Sequence, residues 1–140
     1  MVLIGEFNHS IDAKGRVSFP SKMREEMGDS FVITKGLDNC LFVYRMNEWK
    51  ELEERTRSLP TSKARSIQRF LFAGAAEVEP DKQGRVLIPQ NLRDYAGLTG
   101  DVAIVGVSTR AEIWDAARWA KSNEELTSES VAEAMDELGF

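Results

Sequence analysis

Asp12-Ala13-Lys14-Gly15-Arg16-Val17-Ser18-Phe19-Pro20-Ser21-Lys22-Met23-Arg24 is answered, sixty-nine positions further on, by Asp81-Lys82-Gln83-Gly84-Arg85-Val86-Leu87-Ile88-Pro89-Gln90-Asn91-Leu92-Arg93. Asp, Gly, Arg, Val, Pro and a second Arg recur in register, and Gly28 and Gly97 close the two copies. A repeat this tight decides the architecture, because each half of the chain must then build the same unit. Each copy reads as hairpin loop, strand and short helix. Gly15 supplies the left-handed backbone that closes a three-residue loop after Asp12. Val17 and Phe19 alternate with Arg16 and Ser18, the period of a strand with one buried face. Pro20 stops that strand and suits the start of a helix, along which Met23 and Met27 lie one turn apart before Gly28 ends it. Val86, Ile88, Pro89, Leu92, Ala96 and Gly97 follow the same plan.

Outward from the repeat, a strand over Val2 to His9 leads into the first loop. Phe31-Val32-Ile33-Thr34 and Cys40-Leu41-Phe42-Val43-Tyr44 are β-branched or aromatic runs turned by Gly36-Leu37-Asp38-Asn39. Asn47 is expected to cap a helix carrying Trp49 and Leu52. Pro60-Thr61-Ser62 breaks that helix, and a second runs from Lys63 to Phe72 with Ile67, Phe70 and Leu71 apolar and Lys63, Arg65 and Arg69 basic. Glu77-Val78-Glu79 re-enters a strand. Val102 to Val107 and Ala111 to Trp114 pair as the second half's counterpart of 31–44. A helix beginning at Asp115 carries Trp119, which nearly matches Trp49 in its place after the motif. Val131, Met135 and Leu138 stand at helical spacing beyond a polar stretch.

With 140 residues and 42% hydrophobic content, the chain can bury a core in one or two small domains. It has no run of eighteen apolar residues, and its start turns polar too soon for a signal peptide. Cys40 is the single cysteine, so no intramolecular disulfide forms and a reducing cytoplasm fits; a buried thiol is expected. The net charge of −5 speaks against nucleic acid until its distribution is considered. Residues 1–70 hold twelve Lys and Arg against ten Asp and Glu; residues 71–140 hold six against thirteen. No base follows Lys121, and the tail from Ser122 carries six acids. A small basic surface can coexist with such a tail, since phosphate attraction acts over a Debye length of roughly 8–10 Å.

Arg16 and Arg85 admit two readings from chemistry alone. One is a cross-strand ion pair with Asp12 or Asp81 that stiffens the loop. The other presents Arg, with Lys14, on a hairpin tip, where a guanidinium grips phosphate or the O6/N7 edge of guanine. Gln83 stands where the first copy has Lys14, which reads as a less basic second tip. Arg24 and Arg93 are either surface pairs or phosphate contacts. Catalysis finds little support: His9 is the lone histidine, there is no Cys/His metal spacing, and no phosphate-binding glycine motif occurs, so neither an enzyme nor a cofactor is expected.

The doubled motif D-A-K-G-R-V-S-F-P and D-K-Q-G-R-V-L-I-P resembles the MraZ family of bacterial transcriptional regulators, and each half is similar to the swapped-hairpin barrel of AbrB-type DNA-binding proteins. The resemblance continues through Gly5-Glu6-Phe7-Asn8-His9, Lys35-Gly36-Leu37-Asp38, Glu48-Trp49, Arg69 and Glu112-Ile113-Trp114-Asp115. It implies an α+β fold of two homologous AbrB-like swapped-hairpin β-barrel halves with short helices, a pseudo-dimer within one chain in which strands of each half complete the other. The expected divisions are 1–46 for the first half, 47–73 for a helical connector, 74–121 for the second half and 122–140 for an acidic, partly helical tail. It further implies binding of double-stranded DNA through Asp12, Lys14, Gly15, Arg16, Lys22 and Arg24, and more weakly through Asp81, Arg85 and Arg93. Repression of the protein's own promoter at short direct repeats, in the division and cell-wall gene cluster, is the implied role, exercised by a ring of subunits in the cytoplasm at the nucleoid, with no membrane partner. Phe70 and Phe72 are candidates for the ring seam or for burial within the protomer. The alternative is an AbrB-like antitoxin whose acidic tail binds a toxin, which would co-purify.

Overall fold

The computed structural model describes residues 2–139, folded as eight strands and six short α-helices. Within 1–70, strands β1 (Glu6–Ser10) and β2 (Arg16–Ser18) precede helix α1 (Ser21–Met27). Strands β3 (Phe31–Lys35) and β4 (Leu41–Arg45) follow, then helices α2 (Met46–Thr56) and α3 (Thr61–Ile67). The second half repeats this order: β5 (Ala76–Val78), β6 (Arg85–Leu87), α4 (Gln90–Ala96), β7 (Asp101–Gly106), β8 (Arg110–Asp115), α5 (Ala116–Glu124) and α6 (Ser128–Asp136). Trp49 and Trp119 are each the fourth residue of their helix, so the repeat runs past the loop-strand-helix unit.

Of the six strand pairings among the described residues, four cross between the halves, and β3–β4 and β7–β8 stay within theirs. The six-stranded antiparallel sheet runs β1-β7-β8-β4-β3-β5, and β2 pairs with β6 as a separate two-stranded ribbon. Exchanging the halves turns the β1–β7 pair into β5–β3 and maps the β4–β8 and β2–β6 pairs onto themselves. The fold is therefore a pseudo-dimer in one chain, as the resemblance implies. One local expectation changes. The arms around the Asp12 loop touch through a single bridge, Ile11 to Val17, because β1 and β2 part to pair with β7 and β6.

The core explains why neither half closes alone. Val17 and Phe19 from one half meet Val86, Ile88 and Leu92 from the other, with Phe31, Ile33, Val43, Ile104 and Ile113 in the same cluster. Phe19 and Phe31 stack with centroids 5.2 Å apart. A smaller cluster joins Cys40, Phe42, Ala103, Val105 and Trp114 on the opposite sheet face. Its buried carboxylate, Glu112, is satisfied by Arg110 Nη2 at 2.9 Å and Trp114 Nε1 at 3.0 Å, and the Arg110 guanidinium lies 4.1 Å from the Phe42 ring centre. The Cys40 thiol is buried and its pKa is pushed up to about 12, chiefly by desolvation.

The connector departs from expectation at its start and end. Asn47 does not cap α2; it lies inside the helix, since β4 runs directly into the first turn with Arg45 as the flanking residue and no side-chain cap. The second helix begins at Thr61, straight after Pro60, and widens into a π-turn over Gln68–Phe72. Thr34 Oγ1 donates to the Leu71 carbonyl at 2.5 Å, tying that turn to β3. Phe72 packs on Trp49 at 4.5 Å and Phe70 on Tyr95 at 6.0 Å, so both rings have partners inside the protomer. Asp115 does cap α5, accepting from the Arg118 amide at 3.1 Å. Leu138 falls beyond the end of α6 and is exposed.

Candidate nucleic-acid interface

The two Asp-x-x-x-Arg loops have the same internal geometry. Asp12 Oδ1 accepts from the Lys14 and Arg16 amides at 3.0 and 2.8 Å, and Oδ2 accepts from Arg16 Nε at 2.8 Å. Asp81 does the same with Gln83, Arg85 and Arg85 Nε at 2.9 Å each. The reason lies in the sequence: a carboxylate at the loop's start can satisfy the amides two and four residues on, provided the glycine takes positive φ. Gly15 and Gly84 do so, at 89° and 79°. Hydrogen bonds from the Arg amides, ahead of those from the guanidiniums, hold both carboxyls below their ordinary pKa. With the folded value depressed, this contribution is present at neutral pH and is lost as pH falls through the lowered value.

In each loop Asp engages only Nε of its arginine, and the two terminal nitrogens of the fork make no hydrogen bond among the described residues. The ion pair and the presented guanidinium, rival readings from sequence, are therefore one arrangement. The carboxylate aims the fork, and the fork's outer edge stays available for a planar acceptor pair.

Arg24 and Arg93 make contacts of another kind within the protomer. Their Nε atoms donate to the Phe19 and Ile88 carbonyls of their own half, at 3.1 and 2.9 Å. Each guanidinium then lies against the other half's loop glycine. A Cβ on Gly84 would come within 2.6 Å of Arg24 Cζ, and one on Gly15 within 2.6 Å of Arg93 Cζ. The loops are also stitched crosswise, the Phe19 amide donating to the Gly84 carbonyl at 3.0 Å and Ile88 to Gly15 at 2.9 Å. Gly15→Ala is accordingly expected to cost about 1–3 kcal/mol, from left-handed strain plus displacement of Arg93. Urea unfolding read by tryptophan fluorescence checks this; an unchanged midpoint would show that the loop yields freely.

With the loops locked together, β2 and β6 expose one continuous face. Val17 and Val86 point inward, while Arg16, Ser18, Arg85 and Leu87 point out. Lysine charge is balanced across the tips: Lys14 belongs to one, and Lys82, at the place of Ala13, belongs to the other. The second tip is therefore no less basic than the first, since Lys82 supplies the lysine that Gln83 lacks. Lys22 belongs to neither tip. It sits on α1 and lines a groove with Val2, Ile4, Phe7 and Glu26. Among the described residues no cluster of His, Cys, Asp and Glu could hold a metal, and no helix is long and apolar enough to cross a membrane.

Two crossed Asp-x-x-x-Arg loops over a shared two-stranded ribbon define a duplicated swapped-hairpin protein. The model of the family described as "MraZ protein, putative antitoxin-like" matches residues 2–70 and again 71–138. Proteins named transcriptional regulator MraZ are similar throughout. That of Acetivibrio thermocellus is 60% identical, covering 97% of this chain and 98% of its own. That of Caldicellulosiruptor bescii is 58% identical over 99% and 100%, and that of Clostridium tetani 52% over the same shares. The chain belongs to the MraZ family. The second matched repeat reaches through α6, which follows α5 as α3 follows α2.

Proposed function

We propose that this protein is a sequence-specific DNA-binding transcriptional regulator, without catalytic activity, that enters the major groove with the β2–β6 ribbon and its two flanking tips. The observation that carries the reading is the pair of forked guanidiniums, Arg16 and Arg85, each aimed by an aspartate and each open at its outer edge. A two-stranded ribbon matches the width of the major groove, and an arginine fork matches guanine O6 and N7. Lys14 and Lys82 supply phosphate contacts at either side. Asp12, Asp81, Gly15, Arg24 and Arg93 shape and lock the loops, and Lys22 lies outside the contact surface. The regulated site is DNA upstream of the protein's own gene, in the division and cell-wall cluster, bound as short direct repeats at the nucleoid, with repression as the outcome.

Assembly into a ring fits the charges of equivalent helices. Lys63, Arg65 and Arg69 are exposed on and just after α3, with no acid between them. The matching helix α6 exposes Glu129, Glu133 and Asp136 with no base. Oppositely charged counterparts favour a head-to-tail contact between copies, which closes as a ring if the rotation permits. A ring lets many weak ribbons engage repeated sites together. The acidic tail also suits a toxin partner, the second reading, but its charge is already met by α3 of a neighbouring copy.

Footprinting the full chain on DNA upstream of its gene tests the proposal. We expect protected repeats, and a binding constant that falls with salt at a log–log slope of about −0.9 for each phosphate neutralised. Binding that is indifferent both to salt and to sequence would sink it.

A further inference from the structure

The exposed face of the ribbon is unequal at its two ends. Val17 and Val86 pair at its centre; on one side Arg16 stands opposite Leu87, and on the other Arg85 stands opposite Ser18. Leu87 occupies the place that Ser18 holds in the first half, so exchanging the halves swaps an isobutyl group for a hydroxymethyl. Leu87 is 56% exposed although Val86 and Ile88 on either side are fully buried. It belongs to neither apolar cluster.

We propose that Leu87 is a specificity-determining residue that packs on the C5-methyl of a thymine next to the guanine gripped by Arg16. This rests on the DNA-binding reading above. Side chains directly opposite in an antiparallel pair lie about 5 Å apart at Cβ, and base pairs succeed one another every 3.4 Å or so, so an Arg–Leu pair spans neighbouring steps of the groove. The thymine methyl is the apolar group that the major-groove edge presents. Burying Leu87 against a phosphate or a polar base edge would desolvate that edge without return, whereas the methyl removes apolar surface on both sides from water. At the other end Ser18 can donate to or accept from any base and adds little discrimination beside Arg85. The ribbon therefore reads two unlike half-sites, a guanine–thymine neighbour under Arg16 and Leu87 and a looser guanine-containing step under Arg85 and Ser18. A dyad-symmetric site would be the wrong shape for it.

The test begins with the full chain selecting its tightest duplex from a random library of 20-base-pair DNA. Thymines of that duplex are then replaced one at a time by deoxyuridine, which removes the C5-methyl and nothing else. We expect one replacement to weaken binding about fourfold, the worth of one buried methyl group. Leu87→Ser, which installs the residue that the matching position already carries, should bind the parent duplex about fourfold more weakly and no longer distinguish it from the uracil form. Leu87→Met, apolar and of similar size, should keep the distinction. Wild-type protein indifferent to uracil at every position overturns the inference, as does a Leu87→Ser protein that retains the uracil penalty. Failure of the wild-type chain to enrich any duplex would instead remove the DNA-binding reading beneath the inference, and undiminished binding of the selected duplex by Arg16→Ala would take the ribbon out of that reading, each a separate outcome with its own readout.

Discussion

Arg16→Ala abolishes sequence-specific binding while the protein stays folded and assembled; this is the largest effect we expect from a single substitution. Each bidentate arginine–guanine contact is worth about 1–3 kcal/mol of discrimination, roughly 5- to 150-fold, and the loss repeats in every subunit that touches DNA. The fold has little to lose. The Arg16–Asp12 pair is about a third exposed on both sides, and pairs of that kind contribute about 0–1 kcal/mol. Arg85→Ala is expected to weaken binding less, since its cross-strand partner is Ser18 rather than Leu87. Gel shifts beside light scattering separate the two claims. Full-strength binding by a correctly assembled Arg16→Ala protein would take the ribbon out of the mechanism, and a larger defect in Arg85→Ala would place the dominant contact in the other half.

The second large effect is expected from cutting the chain. Residues 1–70 alone leave β1 without β7, β2 without β6, β3 without β5 and β4 without β8. Val17, Phe31 and Ile33, each almost wholly buried in the intact protein, lose the facing side chains of the second half. Removing that much core exceeds the 5–15 kcal/mol by which a domain is typically stable. The fragment should therefore be unfolded, or should recover its missing strands from another copy of itself as a swapped dimer. Adding residues 71–140 should restore the intact fold's circular dichroism. A monomeric first half that melts cooperatively would contradict the crossed pairing, and ultracentrifugation beside a thermal scan would reveal it.

How much of this could be read in advance depended on range. Strand, Pro-started helix and glycine stop are local signals, and β2 with α1 and β6 with α4 stand where periodicity put them. The pseudo-dimer followed from duplication together with resemblance, since alternation shows which face of a strand is buried but not which strand lies beside it. The cap at Asn47 failed because the residue flanking α2 is Arg45, whose side chain has no oxygen to accept the first amides, whereas the same strand-to-helix junction before α5 carries Asp115. The roles of Arg24 and Arg93 were out of reach, because a guanidinium laid on a glycine of the other half is a contact across sixty or more residues. A signal was present, though: a glycine that something approaches closely, repeated at the same offset as an arginine. Lys82 and Leu87 were visible as letters. Lys82 could be read from the repeat itself, whereas Leu87 gains its place on a common face only because β2 and β6 share one ladder.

That crossed ladder also imposes a schedule on synthesis. Glu6 finds its partner at Val105 and Arg16 at Leu87, so the first strands made must wait for the last ones. At about 5–20 residues per second the ribosome takes roughly 5–20 s to cover that interval. Throughout it the emerging chain carries unpaired strand edges and the bare apolar faces of Val17 and Phe31. The nearest matching edges belong to neighbouring nascent chains on the same message, which carry the same β2. Duplication inside one polypeptide thus trades the search for a separate partner for a delay in translation, during which pairing between siblings competes with pairing within the chain.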